Sequence, residues 1–132
     1  MIIVADSGST KTDWVLINDS GEKIQSIRTV GFNPYFQTSD FIYETLNKAF
    51  EPFKDVLKLV DQVNYYGAGC SSKDKNEIVE YALSKVFINA DISVDHDMVG
   101  ASRATLNSDS GIACIIGTGA NTCVWNGYEI ME

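Results

Sequence analysis

Cysteine is scarce in this sequence, and its spacing excludes two kinds of stabilising framework. The chain has three cysteines, Cys70, Cys114 and Cys123, and no two of them form a CxxC pair. An odd count without such a pair predicts neither a disulfide scaffold nor a zinc site. We therefore expect reduced thiols in a cytoplasmic protein. Cys114 lies in an apolar segment and is expected in the core.

Positive charge and long apolar runs are also missing. Ten Lys and Arg against 18 Asp and Glu give a net charge of −8, and the cations are scattered along the chain. Nucleic-acid surfaces normally carry a basic patch, so we expect no nucleic-acid partner. No run approaches the roughly 20 apolar residues that span a bilayer, so we expect no membrane partner. The 132 residues, 45% hydrophobic with two prolines, predict one folded globular domain.

Apolar segments alternate with polar turns in an order that predicts an α/β fold. Strands are expected at 2–5, 12–17 and 23–30, before a helix that begins near Ser39, with Ser39 or Asp40 as its cap. Further strands are expected at 62–66 and 92–94, each followed by a helix. The order β-β-β-α-β-α-β-α predicts a mixed five-stranded sheet with flanking helices.

The pattern then starts again near residue 109. Residues 111–116 predict a buried strand, residues 117–119 a turn, and residues 121–125 a returning strand. Asn126-Gly127 is a strong hairpin turn. Because this layout repeats that of the first three strands, we predict a first domain over residues 1–108. Residues 109–132 would be the opening strands of a second, related domain.

A bend of small polar residues at 6–12, the first bend, is a candidate phosphate site. Successive backbone N–H groups in such a bend can form an anion-binding nest, and glycine lets a ligand approach closely. Asp6 can hold Mg²⁺ through water, since Mg²⁺ favours one or two carboxylates with phosphate and water. A plain hairpin turn explains the composition equally well. The predicted phosphate contacts are Ser7, Gly8, Ser9, Thr10 and Lys11.

A second bend follows the restarted pattern. Gly117, Thr118 and Gly119 separate two apolar strands, and alone they read as an ordinary turn. A similar bend at the start of each of two similar sets of strands is stronger evidence for a ligand site than either bend alone. We predict that they hold the phosphates of a nucleotide from opposite sides.

Two aspartates follow the predicted strand at 92–94, where ligands of open α/β sheets gather. The carboxylate of Asp97 could accept the proton of an attacking hydroxyl. Equally, Asp95 and Asp97 could cap the next helix. His96 is interpreted as a surface or loop residue, and no metal is expected there without partner ligands. In Gly31-Phe32-Asn33-Pro34, the Asn33 amide could reach a sugar hydroxyl, or the segment could be a plain turn.

Together these segments resemble a known family. ADSGSTKTDW, GFNP, YGAGC, VDHDMVGASRA and GIACIIGTGANTCVW resemble the BadF/BadG/BcrA/BcrD-type ATPases and, within them, the N-acetylglucosamine kinase-like proteins. These belong to the actin, sugar kinase and Hsp70 superfamily. The resemblance implies ribonuclease H-like domains with ATP and Mg²⁺ in the cleft between them.

The resemblance also implies roles for single residues. Asp97 matches the catalytic base, and the two bends match the two phosphate loops. Asn33 and Thr118 match positions that contact the sugar, and we include Asn121 beside them. The implied reaction transfers a phosphoryl group from Mg-ATP to a hydroxyl of N-acetylglucosamine or a related hexose.

Two alternatives stay open. One is an ATPase activator of a 2-hydroxyacyl-CoA dehydratase or benzoyl-CoA reductase type system, although Cys70 and Cys123 lack the pattern expected for its iron–sulfur cluster. The other is a non-catalytic, actin-like nucleotide-binding protein. Since such kinases continue well beyond 132 residues, we expect weak ATP binding and little activity from this chain alone. We also expect self-association into a homodimer through unpaired strand edges.

Overall fold

The computed structural model describes residues 1–131, which form two sheets joined through one helix. The first sheet contains Ile2–Ser7 (β1), Lys11–Ile17 (β2), Lys23–Val30 (β3), Gln62–Gly67 (β4) and Asp91–His96 (β5). Its strand order is β3-β2-β1-β4-β5. β1 runs antiparallel to β2 and parallel to β4, and β4 runs parallel to β5. The predicted mixed five-stranded sheet is therefore confirmed.

In the part of the chain that the structure describes, four α-helices accompany the sheets. They are Ser39–Phe50 (α1), Lys54–Leu57 (α2), Lys73–Val86 (α3) and Asp97–Thr105 (α4). No helix within residues 1–131 has the length and apolarity needed to cross a membrane.

The ends of α1 differ from the sequence expectation. The cap is Thr38, whose hydroxyl accepts from the Phe41 amide at 3.2 Å, so the prediction of Ser39 or Asp40 was wrong. Thr38 has the extended backbone that a cap requires, whereas Ser39 and Asp40 already lie inside the helix. After Phe50 the chain tightens into a 3₁₀ turn that carries Pro52, because proline lacks the amide that would continue an α-helix.

Aromatic side chains fill the core between the first sheet and helices α1 and α3. Trp14 on β2 meets Phe50 edge-on, with 5.4 Å between ring centroids, and Phe50 meets Phe87 at 5.3 Å. On β1, Ala5 is buried in this core, and its neighbour Asp6 is exposed. Successive side chains of a strand point to opposite faces. The packing of one face of β1 therefore directs Asp6 away from the core.

The second sheet consists of Gly111–Ile116 (β6), Ala120–Trp125 (β7) and Ile130–Met131 (β8), in the antiparallel order β6-β7-β8. One face packs on α4 through buried Ala113 and Trp125. The Trp125 indole also donates to the Asn107 carbonyl at 3.0 Å.

The opposite face of the second sheet is open. Ile112 and Ile116 are 70% and 89% exposed, and Cys114 between them is also exposed. The predictions of a buried strand at 111–116 and of a core Cys114 were therefore wrong for the described chain. An apolar strand is buried on both faces only when something covers each face, and residues 1–131 cover one of them.

Replacing Leu46 with alanine should destabilise the protein by about 2–5 kcal/mol, because it opens a cavity in the core. Leu46 lies on α1 and is fully buried, whereas Leu59 is 60% exposed. The matched variant Leu59→Ala should change stability by less than about 0.5 kcal/mol. Urea unfolding of both variants measures the difference. Similar losses in the two would contradict the assigned core.

Candidate functional site

A cleft of about 830 Å³ separates the first sheet from the second. Both bends border it, and α4 forms part of its wall. Of the predicted site residues, the structure brings together in this one space Asp6, Gly8, Ser9, Thr10, Lys11, Asp97, Gly117, Thr118, Gly119 and Asn121.

The first bend is held closed by its own backbone and by the chain after β3. The Gly8 amide donates to the Lys11 carbonyl at 2.9 Å, and the Gly31 amide donates to the Thr10 carbonyl at 2.9 Å. A Cβ on Gly31 would lie 2.2 Å from the Gly8 carbonyl oxygen. Glycine at position 31 therefore lets the two segments touch, which fixes the shape of the bend.

Ser7 belongs to the scaffold of the bend and not to its ligand-facing surface. The residue is fully buried. Its hydroxyl lies 2.7 Å from the Thr12 hydroxyl and accepts from the Phe32 amide at 3.1 Å. Because Thr12 gives its own proton to the Val30 carbonyl, Ser7 is the donor to Thr12. The Ser7 side chain is therefore not available for the predicted phosphate contact, since β1 turns it into the core, and contact through the Ser7 backbone stays a prediction.

Lys11 and Arg28 both bind Asp13. Lys11 Nζ lies 2.9 Å from one carboxylate oxygen of Asp13, and Arg28 Nε lies 2.6 Å from the other. Hydrogen bonds from Arg28 and then from Lys11 lower the pKa of Asp13. Asp13 is thus an ionised residue at the edge of the cleft that holds the Lys11 ammonium beside the first bend.

The surroundings of Asp6 favour an ionised carboxylate less than those of Asp13 do. Partial burial of the carboxyl in the cleft raises its pKa, the charges of Asp13 and Asp97 raise it further, and the charge of Lys11 lowers it. Within residues 1–131, no cluster of three or more His, Cys, Asp or Glu side chains could hold a metal alone. A single carboxylate beside a candidate phosphate-binding bend fits Mg²⁺, which takes its other ligands from phosphate and water.

Asp97 is the first residue of α4 and lines the cleft. Its Oδ1 is buried without a hydrogen-bond partner, and it lies 2.9 Å from His96 Nδ1. Since Oδ1 is buried, Oδ2 is the carboxylate oxygen that can face the cleft. This placement suits a group that takes a proton from a bound hydroxyl.

The helix cap at this point is His96, not Asp95 or Asp97. His96 Nδ1 accepts from the Met98 amide at 3.2 Å, and the His96 side chain is 28% exposed. His96 is therefore partly buried beside Asp97, whereas the sequence suggested a loop position. Asp95 instead pairs with Arg103, whose guanidinium lies 3.4 Å away.

Asn33 does not line the cleft. Its side-chain oxygen accepts from the Tyr35 backbone amide at 3.0 Å, and the Asn33 backbone amide donates to Gln37 Oε1 at 2.8 Å. The side chain lies against Gly69, where a Cβ would come within 2.5 Å of the Asn33 oxygen. The turn interpretation of this segment therefore describes its geometry, and contact with a sugar stays a prediction.

Sequence reasoning missed three residues with polar side chains that line the cleft, namely Asp13, Tyr66 and Arg103. Asp13 had a usable signal, because it lies two positions after Lys11 on the same strand and so shares its face. Tyr66 had none, since it reaches the cleft by pairing in register with Asp6 across β1 and β4. Arg103 reaches the cleft from α4 and donates to the Tyr66 hydroxyl at 2.9 Å.

Several solved structures are similar to this chain. A candidate N-acetylglucosamine kinase of Porphyromonas gingivalis matches with a TM-score of 0.92 and 38% identity over 99% of this chain and 46% of its own. A ROK family glucokinase of Streptomyces griseus, in complex with glucose and AMPPNP, matches with a TM-score of 0.71 and 16% identity over 98% of this chain and 46% of its own. A candidate N-acetylmannosamine kinase of Listeria monocytogenes matches with a TM-score of 0.62 and 15% identity over 98% of this chain and 48% of its own.

These similarities confirm the predicted fold class. The chain has the actin-like ATPase fold of the sugar kinases, and it spans just under half the length of each of these three proteins. No protein-family model matches the chain, and no curated protein matches it.

Replacing Asp6 with asparagine should stabilise the protein at pH 7. The pKa of Asp6 is higher in the folded state than in the unfolded state. The folded protein therefore binds this proton more tightly, and the ionised carboxylate destabilises the fold at neutral pH. Near pH 3, below the usual aspartate range of about 4, both states hold the proton and the gain should vanish. The melting temperatures of the wild type and Asp6→Asn at the two pH values measure this stabilisation.

The exposed Asp109 supplies a matched control for this comparison. Asp109→Asn should shift the melting temperature by the same small amount at both pH values. A stabilisation by Asp6→Asn that does not depend on pH, or a loss of stability at pH 7, would contradict the electrostatic position assigned to Asp6.

Proposed function

We propose that the protein is an ATP-dependent sugar kinase of the BadF/BadG/BcrA/BcrD type, close to the N-acetylglucosamine kinase-like proteins. It would transfer a phosphoryl group from Mg-ATP to a hydroxyl of N-acetylglucosamine or a related hexose. The similarity to sugar kinases supports the reaction class. The observation that carries the proposal is the cleft in which two glycine-containing bends share space with Asp97.

The glycines of the two bends support this use of the cleft. A Cβ on Gly8 would meet nothing nearer than 3.8 Å, and a Cβ on Gly119 would meet nothing within 4 Å. Neither residue has a positive φ, so the fold itself does not require glycine at these two positions. A ligand that approaches the backbone closely would require it, and phosphate oxygens bound by backbone amides do so.

Each residue of the cleft then has a chemical task. Backbone amides of the bends and the Lys11 ammonium would bind phosphate oxygens and stabilise the charge that develops on them. Asp6 would hold Mg²⁺ through water, and the ion would neutralise charge on the phosphates. Asp97 would accept the proton of the acceptor hydroxyl at Oδ2. Thr118, Asn121 and Asn33 remain the proposed sugar contacts.

Lys11 offers the nucleotide a cation that is already placed. In the free protein Asp13 holds the ammonium at 2.9 Å, and Lys11 is 56% exposed. Exposed ion pairs of this kind contribute little stability, about 1 kcal/mol or less. A phosphate can therefore replace Asp13 at Lys11 at small energetic cost, while Arg28 continues to neutralise Asp13.

The two alternative functions gain no support. A dehydratase activator needs cysteine thiolates for an iron–sulfur cluster, but Cys70 is buried and burial raises the pKa of its thiol to about 12. Cys114 lies on the open face of the second sheet, away from Cys70 in the core of the first. A non-catalytic nucleotide-binding protein would not need Asp97 in the cleft. Cytoplasmic location and self-association remain part of the proposal.

Gly8→Ala and Gly119→Ala should each weaken the binding of Mg-AMPPNP by about tenfold or more, or about 1.4 kcal/mol. Either Cβ would fill the space proposed for phosphate. Stability should change by less than about 1 kcal/mol, because the free protein has room for both methyl groups. Calorimetry and urea unfolding of the full-length protein measure the two effects.

Gly31→Ala is the contrasting variant. Its Cβ would collide with the Gly8 carbonyl, so it should destabilise the fold by about 3 kcal/mol. Unchanged nucleotide affinity in both Gly8→Ala and Gly119→Ala would remove the bends from phosphate binding.

Asp97→Asn should lower phosphorylation of the best acceptor in a sugar panel by about 100- to 10,000-fold, since a general base contributes an effect of that size. Affinity for Mg-AMPPNP should be retained. Asp95→Asn, which changes the neighbouring carboxylate held by Arg103, should leave the rate within about twofold of the wild type. An undiminished rate in Asp97→Asn would exclude Asp97 as the base. Failure of the wild-type protein to phosphorylate any sugar of the panel would contradict the proposed function.

A further inference from the structure

We infer that Asp13 competes with the nucleotide for the Lys11 ammonium, and that Arg28 sets the strength of this competition from outside the cleft. Lys11 and Asp13 line the cleft, whereas Arg28, on the edge strand β3, does not. Asp13 and Arg28 are therefore positioning residues that act on a phosphate through Lys11. The contacts among the three side chains belong to the free protein, and their effect on a nucleotide rests on the proposed function.

A single carboxylate binds both cations. Arg28 Nε lies 2.6 Å from Asp13 Oδ1, and Lys11 Nζ lies 2.9 Å from Asp13 Oδ2. Arg28 reaches Asp13 because the two residues pair in register across β3 and β2. Lys11 reaches Asp13 because it lies two positions earlier on β2 and therefore on the same face of the sheet. The pairing of the strands thus brings the three charges together.

The two cations weaken each other's bond to Asp13. Since they bind the two oxygens of one carboxylate, their positive charges lie close together and repel. Without Arg28, Asp13 would bind Lys11 more strongly. The negative charge of Asp13 would also be less compensated beside Asp6, its partner in register on β1. With Arg28 in place, Lys11 leaves Asp13 at a smaller electrostatic cost.

Lys11 has the freedom that an exchange of partners requires. Its side chain is 56% exposed, and a lysine ammonium is carried on a flexible four-carbon stem. The backbone of Lys11 belongs to the first bend, where its carbonyl accepts from the Gly8 amide at 2.9 Å. A phosphate bound at the bend is within reach of the ammonium and must displace Asp13 from it. Asp13 therefore lowers the affinity for the nucleotide and binds Lys11 again when the phosphate leaves.

Two substitutions should change the affinity for Mg-AMPPNP in opposite directions. Asp13→Asn removes the competing carboxylate and should tighten binding by about three- to fivefold. Arg28→Gln strengthens the bond between Asp13 and Lys11 and should weaken binding by a similar factor. Effects of this size are near the upper end of what an exposed ion pair contributes. Calorimetry of the full-length protein measures both.

Lys23→Gln is the matched control for the loss of one positive charge from β3. Lys23 is exposed on the same strand as Arg28 and lies about 16 Å from it at about 3.3 Å per residue. This separation exceeds the screening length of about 8 Å at physiological ionic strength. The affinity of Lys23→Gln for Mg-AMPPNP should therefore stay within about twofold of the wild type.

The double variant tests whether Arg28 acts through Asp13. In the Asp13→Asn background, Arg28→Gln should change the affinity by less than about twofold, because the carboxylate that couples the two residues is gone. Equal weakening by Arg28→Gln in both backgrounds would show that Arg28 acts on the nucleotide by its charge alone and would overturn the inference. An unchanged or weaker affinity in Asp13→Asn alone would also overturn it.

The Lys11 ammonium reports on the same contacts without a nucleotide. Ammonium ¹H–¹⁵N spectra of the ¹⁵N-labelled protein should be recorded near pH 6, where aspartates of ordinary or lowered pKa are ionised. The Lys11 signal is identified by its absence in Lys11→Arg. Because a bond to a carboxylate protects the ammonium protons, their exchange with water should be slower in Arg28→Gln than in the wild type and faster in Asp13→Asn.

Equal exchange rates in the three proteins would overturn the inference, whatever the protein phosphorylates. Absence of sugar phosphorylation or of nucleotide binding would instead contradict the proposed function. The exchange rates would still decide whether Arg28 controls the bond between Asp13 and Lys11.

Discussion

The buried hydroxyl of Ser7 is the interaction on which the geometry of the site depends. It connects β1 to β2 through Thr12 and to the segment after β3 through the Phe32 amide. These bonds fix the last residue of β1 with its side chain in the core. Because side chains alternate along a strand, Asp6 must then face the cleft, and the backbone of the first bend must begin immediately above it.

The charges of the cleft follow from that placement. Asp6, Asp13 and Asp97 all border one space, in a chain whose net charge is −8. Lys11 and Arg28 both bind Asp13, whereas partial burial and the charges of Asp13 and Asp97 keep the pKa of Asp6 raised. A site of this kind favours a ligand that brings its own divalent cation together with its phosphates. The acidic composition and the binding of a polyanion are therefore compatible.

Local chemistry made most elements of the fold predictable, because polar turns and apolar strands are encoded by neighbouring residues. The strand at 23–30 was predicted with the observed bounds, and the helix after it was predicted with its observed start at Ser39. What failed depended on distant parts of the chain. Cys114 is exposed because the described residues cover one face of its strand, and Ser7 is buried against Thr12 and the segment after β3, which the chain brings together from 5 and 25 residues away. The contact of His96 with Asp97 depends on side-chain geometry that spacing does not encode.

Helix α4 contacts strands of both sheets, including β1 and β4 of the first and β6 and β7 of the second. Asp97 occupies its first turn. Any rotation of one sheet relative to the other must therefore move or tilt the helix that carries the proposed base. Closure of the two bends around a nucleotide and delivery of the carboxylate to the acceptor would then be a single mechanical event, so that a half-closed protein would be poorly aligned to transfer phosphate to water.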